Sequence, residues 1–83
     1  MNIRQVKLER VAALSQSDWD ALWYGIDLLI GRMREHDFPP ELHARIWRLM
    51  RDCGAGVRSF DTMRMVAGSL AYNRLTIERL RHW

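Results

Sequence analysis

The chain has 83 residues, of which 48% are hydrophobic and 28% charged, with a net charge of +3. That length supports one modest core and is too short for a core plus a separate catalytic domain, and the interspersed charged and apolar residues exclude wholesale disorder. The longest apolar stretch, ALWYGIDLLIG, is too short for a bilayer and carries Asp27; the single cysteine, Cys53, leaves no internal disulfide; no N-terminal run resembles a signal peptide. The expected setting is a reducing cytoplasm, with no membrane association. Charge is uneven along the chain: residues 1–38 have five basic and six acidic side chains, whereas residues 56–83 have five basic and two acidic. The C-terminal end therefore leans toward a polyanion or an acidic protein face.

In residues 1–14, Ile3, Val6, Leu8, Val11 and Leu14 fit a short helix or an extended arm. The segment LSQSDW then holds a helix start, with Ser15 as cap, Asp18 three residues on, and Leu14 and Trp19 at the two positions of a hydrophobic staple. The spacing predicts a helix over residues 15–35. Trp19, Leu22, Trp23, Ile26, Leu29, Ile30 and Met33 form its core stripe. A second set, Ala21, Tyr24, Gly25 and Leu28, widens the apolar surface. Either this helix is central and buried on most sides, or its second stripe meets another chain, as in a homodimer. Gly25 and Gly31 would both permit a close helix crossing.

The prolines of HDFPPEL end that helix and open the next, predicted over residues 40–53 with Leu42, Ile46, Leu49, Met50 and Cys53 inward. Arg45, Arg48 and Arg51 fall outside this stripe, Trp47 lies at its edge, and Gly54 is expected as a left-handed cap. From Ser59 the pattern is helical to residue 82. The expected fold is thus all-α: one domain, residues 1–83, a compact bundle of three main helices with a short N-terminal helix or arm.

Little in the chain points to catalysis. It has no Gly-rich phosphate loop, paired-cysteine motif or His-Glu metalloprotease pattern, and His36, His43, His82 and Cys53 match no familiar ligand spacing. The carboxylates Asp18, Asp20, Asp27, Glu35, Asp37 and Glu41 have plain places at helix starts or on wetted faces. No enzyme activity, cofactor, metal or small-molecule substrate is expected. The four tryptophans are more telling, because Trp dominates binding surfaces as well as cores. Trp19 and Trp23 suit the core. Trp47 beside Arg48 and Arg51, and Trp83 beside Arg81 and His82, suit an exposed contact. With Tyr24 and Leu28 from the second stripe, Trp47, Arg48, Arg51 and Trp83 form the expected protein-contact set. The function read from them is that of a small non-enzymatic inhibitor, adaptor or regulator that docks on a partner protein or on itself.

The segment VAGSLAYNRLTIERL admits a second function. Read as one helix, Phe60, Met63, Val66, Leu70, Asn73, Ile77 and Leu80 share a stripe with Asn73 as its blemish. Read as two helices broken at Ala71-Tyr72, Tyr72 plugs the core, Ile77 and Leu80 are buried, and Asn73, Arg74, Arg79 and His82 face outward. In that form Met63 to His82 resembles the helix-turn-helix of bacterial regulators, with Ala67 as the small packing residue and NRLTI opening the recognition helix. The resemblance implies DNA contacts from Asn73, Arg74, Arg79 and Arg81. The chain departs from the pattern at Ala71, where such turns use Gly for a positive φ. A continuous or merely kinked helix is therefore expected, with Asn73 hydrogen-bonded across the bundle or placed at a chain-to-chain contact.

Overall fold

A computed structural model describes residues 6–82, so Ile3 and Trp83 lie outside the described residues. It is all-α, with five helices: α1 (Leu8–Ala12), α2 (Gln16–Leu29), α3 (His43–Cys53), α4 (Phe60–Tyr72) and α5 (Arg74–Arg81).

Helix α2 starts where the sequence places it. Ser15 is extended and its Oγ accepts the backbone N–H of Asp18 at 3.1 Å. The Asp18 carboxylate reaches outward to α3, accepting from Arg45 Nε at 3.0 Å and Nη2 at 2.6 Å. This charge-assisted pair joins the start of α2 to α3. The far end of α2 comes earlier than residue 35. Gly31 adopts φ +83°, its N–H donates to the Leu28 carbonyl at 3.2 Å, and that of Arg32 donates to Asp27 at 2.7 Å. Those two bonds form a Schellman stop, which satisfies the last carbonyls and ends the helix. Gly31 thus serves a turn and no crossing. Gly25 does serve one: a Cβ there would lie 2.5 Å from the Ile46 side chain, so its absence lets α2 and α3 approach closely.

Two single 3₁₀ turns, Glu35–Asp37 and Pro40–Leu42, lead into α3. Between them Phe38 is buried and stacks on His43 with ring centroids 5.1 Å apart. Past α3, Gly54 is extended at φ −113° rather than left-handed. Glycine is required there for space, because a Cβ would meet Val66 at 2.7 Å. The left-handed residue is Gly56, two positions later, at φ +72°. Gly54 also bridges Val6, and the Lys7 N–H donates to the Cys53 carbonyl at 2.7 Å, which seats the segment before α1 on the end of α3.

The expected helix over residues 59–82 is two helices. A reciprocal box between Ser59 and Thr62 opens α4. Asn73, at φ −95° and ψ 11°, separates it from α5. Its side-chain Nδ2 donates to the Ser69 carbonyl at 2.7 Å, and its backbone N–H donates to the same oxygen at 3.1 Å. Asn competes for backbone acceptors in this way, which is why it favours helix ends. Asn73 therefore bonds back into its own helix and not across the bundle. No described non-glycine residue has positive φ, so the break needs no glycine at position 71. Tyr72 is 76% exposed and no core plug; Phe60 and Leu80 are exposed as well, while Ile77 is fully buried.

Helix α2 runs through the middle, packed on α3 and α4, while α1 packs on α3 and α5. Trp19, Ala21, Leu22, Trp23, Gly25, Ile26 and Leu29 of α2 are buried. Most of its wide apolar surface is accordingly covered by its own chain, and Tyr24 is left out at 47% exposure.

Candidate interaction surface

The predicted contact residues separate into three places. On α3, Trp47 is half-buried, the Arg51 guanidinium lies over it at 5.7 Å from the ring centroid, and Arg48 is exposed one residue along. Their four-residue spacing puts Trp47 and Arg51 on one face of the helix. Trp47 also forms part of a cleft of about 410 Å³ together with Leu28, Met33, Phe38, Phe60 and Met63. The cleft gathers the C-terminal half of α2, the connection after it, and the N-terminal ends of α3 and α4. Among the described residues that line it, His43 alone carries an ionisable side chain. Leu28 and Trp47 thus converge, whereas Tyr24 borders a separate groove with Trp19, Trp23, Asp20, Asp27 and Arg74.

Sequence reasoning missed two members of this cleft. Phe60 falls on the apolar stripe by spacing, yet it is the first residue after the Ser59 cap and is 57% exposed. A side chain at the first position of a capped helix hangs over the helix end, and the Ser-x-x-Thr pattern was the available signal. Phe38 precedes two prolines, which hold the chain in a turn that tucks its ring under His43.

The candidate DNA contacts have other work. Arg74 lies over the Trp23 ring at 4.5 Å and bonds Glu78 at 3.1 Å. Arg81 lies over Trp19 at 4.6 Å, and its Nη1 donates to the carbonyls of Ala12 (3.3 Å) and Leu14 (2.5 Å). Its Nη2 is 3.3 Å from Gln16 Oε1. Trp19 and Trp23 meet edge to face at 5.4 Å, so two arginines of α5 cover a tryptophan pair of α2. The buried Nε1 of Trp23 has no hydrogen-bond partner among the described residues. Asn73 is engaged with Ser69, as above, and Arg79 is exposed. The separation of α4 from α5 is one residue, Asn73, shorter than the three or four of a helix-turn-helix.

Elsewhere the chemistry is quiet. Cys53 is fully buried, and burial, with Asp52 adding to it, pushes its thiol up to about 11. Thiolate is the reactive form, so this sulfur is held inert at neutral pH. No three His, Cys, Asp or Glu side chains among the described residues gather as a metal site. No described helix is long and apolar enough to cross a membrane. Comparison of the chain with protein-family models, with curated proteins and with solved structures finds no match.

Proposed function

We propose that the protein is a small non-enzymatic interaction module that acts by docking a partner protein on the cleft between α2, α3 and α4. The observation that carries this reading is the convergence of Leu28 and Trp47 with the exposed Phe60 around an apolar hollow, with Arg51 laid over Trp47. An apolar centre with aromatic and arginine side chains is the usual composition of an interface anchor. The charge beside it favours a partner segment with apolar anchor residues flanked by Asp or Glu. The outcome for the partner would be occlusion of that segment.

The test is selection of helical peptides from a random library, followed by NMR mapping of an enriched peptide on the labelled protein. Selected peptides should carry paired apolar residues with acidic neighbours and shift the Trp47 indole and Leu28 methyl signals. The combined Trp47→Ala and Arg51→Ala variant should lose that binding while keeping its helical circular dichroism. Mapping to a different surface, or binding that survives the double substitution, would sink the reading.

Duplex DNA is the competing ligand. Its supporting residues are fewer, because Arg74, Arg81 and Asn73 are engaged within the chain, which leaves the exposed Arg79 as the member of the set with no ring contact or side-chain hydrogen bond among the described residues. Salt-sensitive binding to duplex DNA that Arg79→Ala weakens would favour it over protein docking.

A further inference from the structure

Three glycines lie in helices or at a helix end, and two of them sit where another element approaches closely. A Cβ at Gly25 would collide with Ile46 at 2.5 Å, and one at Gly54 with Val66 at 2.7 Å. Gly68 differs: it sits in the middle of α4, and a Cβ there would meet nothing within 4 Å. Glycine weakens a helix interior relative to alanine. Nothing in the fold requires it here.

The surface around Gly68 is apolar and paired in a particular way. Met65 and Tyr72, three residues before it and four after, are 56% and 76% exposed. Beside Met65 runs a groove of about 410 Å³, floored by Leu29 and Ile30 and flanked by Asp61 and Arg64. Tyr72 therefore projects on one side of Gly68 and a groove opens on the other. At a rise of about 1.5 Å per residue, Tyr72 and Arg64 are both about 6 Å from Gly68 along the axis.

The geometry points to a second copy of this chain as the partner of this face, with two α4 helices crossing antiparallel at Gly68. A two-fold axis there places Tyr72 of each copy in the groove of the other. Its ring meets Met65 and the Arg64 guanidinium, and its hydroxyl comes within the neighbourhood of Asp61. Met sulfur and arginine both bind aromatic rings favourably. Such a contact is self-complementary, as a two-fold interface must be. No like charges are opposed: Asp61 faces the level of Leu75 and Arg64 that of Tyr72. The outer face of α3, with Arg48 and Arg51 exposed, would set arginine against arginine in the same arrangement. The absent Cβ at Gly68 lets the two backbones come close enough for the tyrosines to seat.

Sedimentation equilibrium from micromolar to millimolar concentration tests this. The wild-type protein should pass from monomer to dimer mass. Tyr72→Glu should remain monomeric throughout, with unchanged helical circular dichroism because Tyr72 is exposed. Gly68→Ala gives a second reading with opposite signs: the monomer should melt higher, since alanine is the better helix former, while dimerisation weakens by about tenfold or more. A wild-type protein that is monomeric at millimolar concentration overturns the proposal. So does a dimer that Tyr72→Glu and Gly68→Ala leave intact.

Discussion

Two regions of this small protein use the same pair of side chains, arginine over tryptophan, for different ends. Between α5 and α2 the tryptophans are 7–8% exposed and the arginines close over them at 4.5 and 4.6 Å. On α3 the tryptophan is half-buried, the arginine is 5.7 Å away and exposed, and both belong to one helix. The first arrangement joins elements distant in sequence; the second joins nothing that the helix does not already hold. Residue type alone therefore does not distinguish an interface pair from a structural one. What distinguishes them is whether the arginine has hydrogen-bond partners besides the ring: Arg81 donates to the carbonyls of Ala12 and Leu14 and Arg74 to the Glu78 carboxylate, while Arg51 has no such partner among the described residues.

The contrast can be broken by substitution, and urea denaturation would read it. Trp19→Ala should cause the largest loss, about 3–5 kcal/mol, through the cavity left beneath α5, whereas Trp47→Ala should cost about 1 kcal/mol. Equal losses would place both tryptophans in the same class. Next in size, Arg81→Ala should lose about 1.5–3 kcal/mol, because it strands carbonyls at the end of α1 as well as uncovering Trp19. Arg51→Ala should stay within about 0.5 kcal/mol of wild type, its effect appearing in partner binding instead. Arg74→Ala falls between, at about 0.5–1 kcal/mol, since it uncovers Trp23 but strands no backbone group.

A pH-dependent effect concerns Cys53, below the N-terminal segment. Its folded thiol is raised from 9.0 to about 11, first by burial and then by Asp52. Above pH 9 the unfolded thiol ionises while the folded one keeps its proton, so this contribution to stability is whole below pH 9 and declines as pH rises toward 11. Alkaline denaturation of wild type and Cys53→Ala should therefore converge in slope below pH 9 and diverge above it. Thiol reagents should modify Cys53 at neutral pH only at the rate of unfolding.

The parts of the fold that were legible in the sequence depend on local chemistry. Ser15 with Asp18 fixes the start of α2, the paired prolines fix the opening of α3, and the three-four spacing of Trp19, Leu22, Trp23 and Ile26 fixes the buried face. The parts that were not legible depend on which of two local options the tertiary structure selects. Gly31 and Gly54 both can end a helix in the left-handed region; Gly31 does, while Gly54 is extended and bridged to Val6 from the far end of the sequence. Asn73 both can cap and can sit in a stripe, and its amide chose the Ser69 carbonyl. At the candidate surface, Trp47 and Leu28 were found from exposure patterns, but the cleft they share needs Phe38 and Phe60, brought in from sequence positions whose turns had to be known first.

The hydrogen bonds from Arg81 have a kinetic consequence. They span 69 and 67 residues, to Ala12 and Leu14, and they fasten α1 to α5. Helices α2, α3 and α4 follow one another in the chain and can assemble through short loop closures, whereas the α1–α5 dock must close a loop that contains all three. Native contacts that form after the rate-limiting barrier govern the rate of unfolding and leave the rate of folding almost untouched. Removing the Arg81 guanidinium should thus steepen escape from the native state while the refolding arm of the chevron stays where it was.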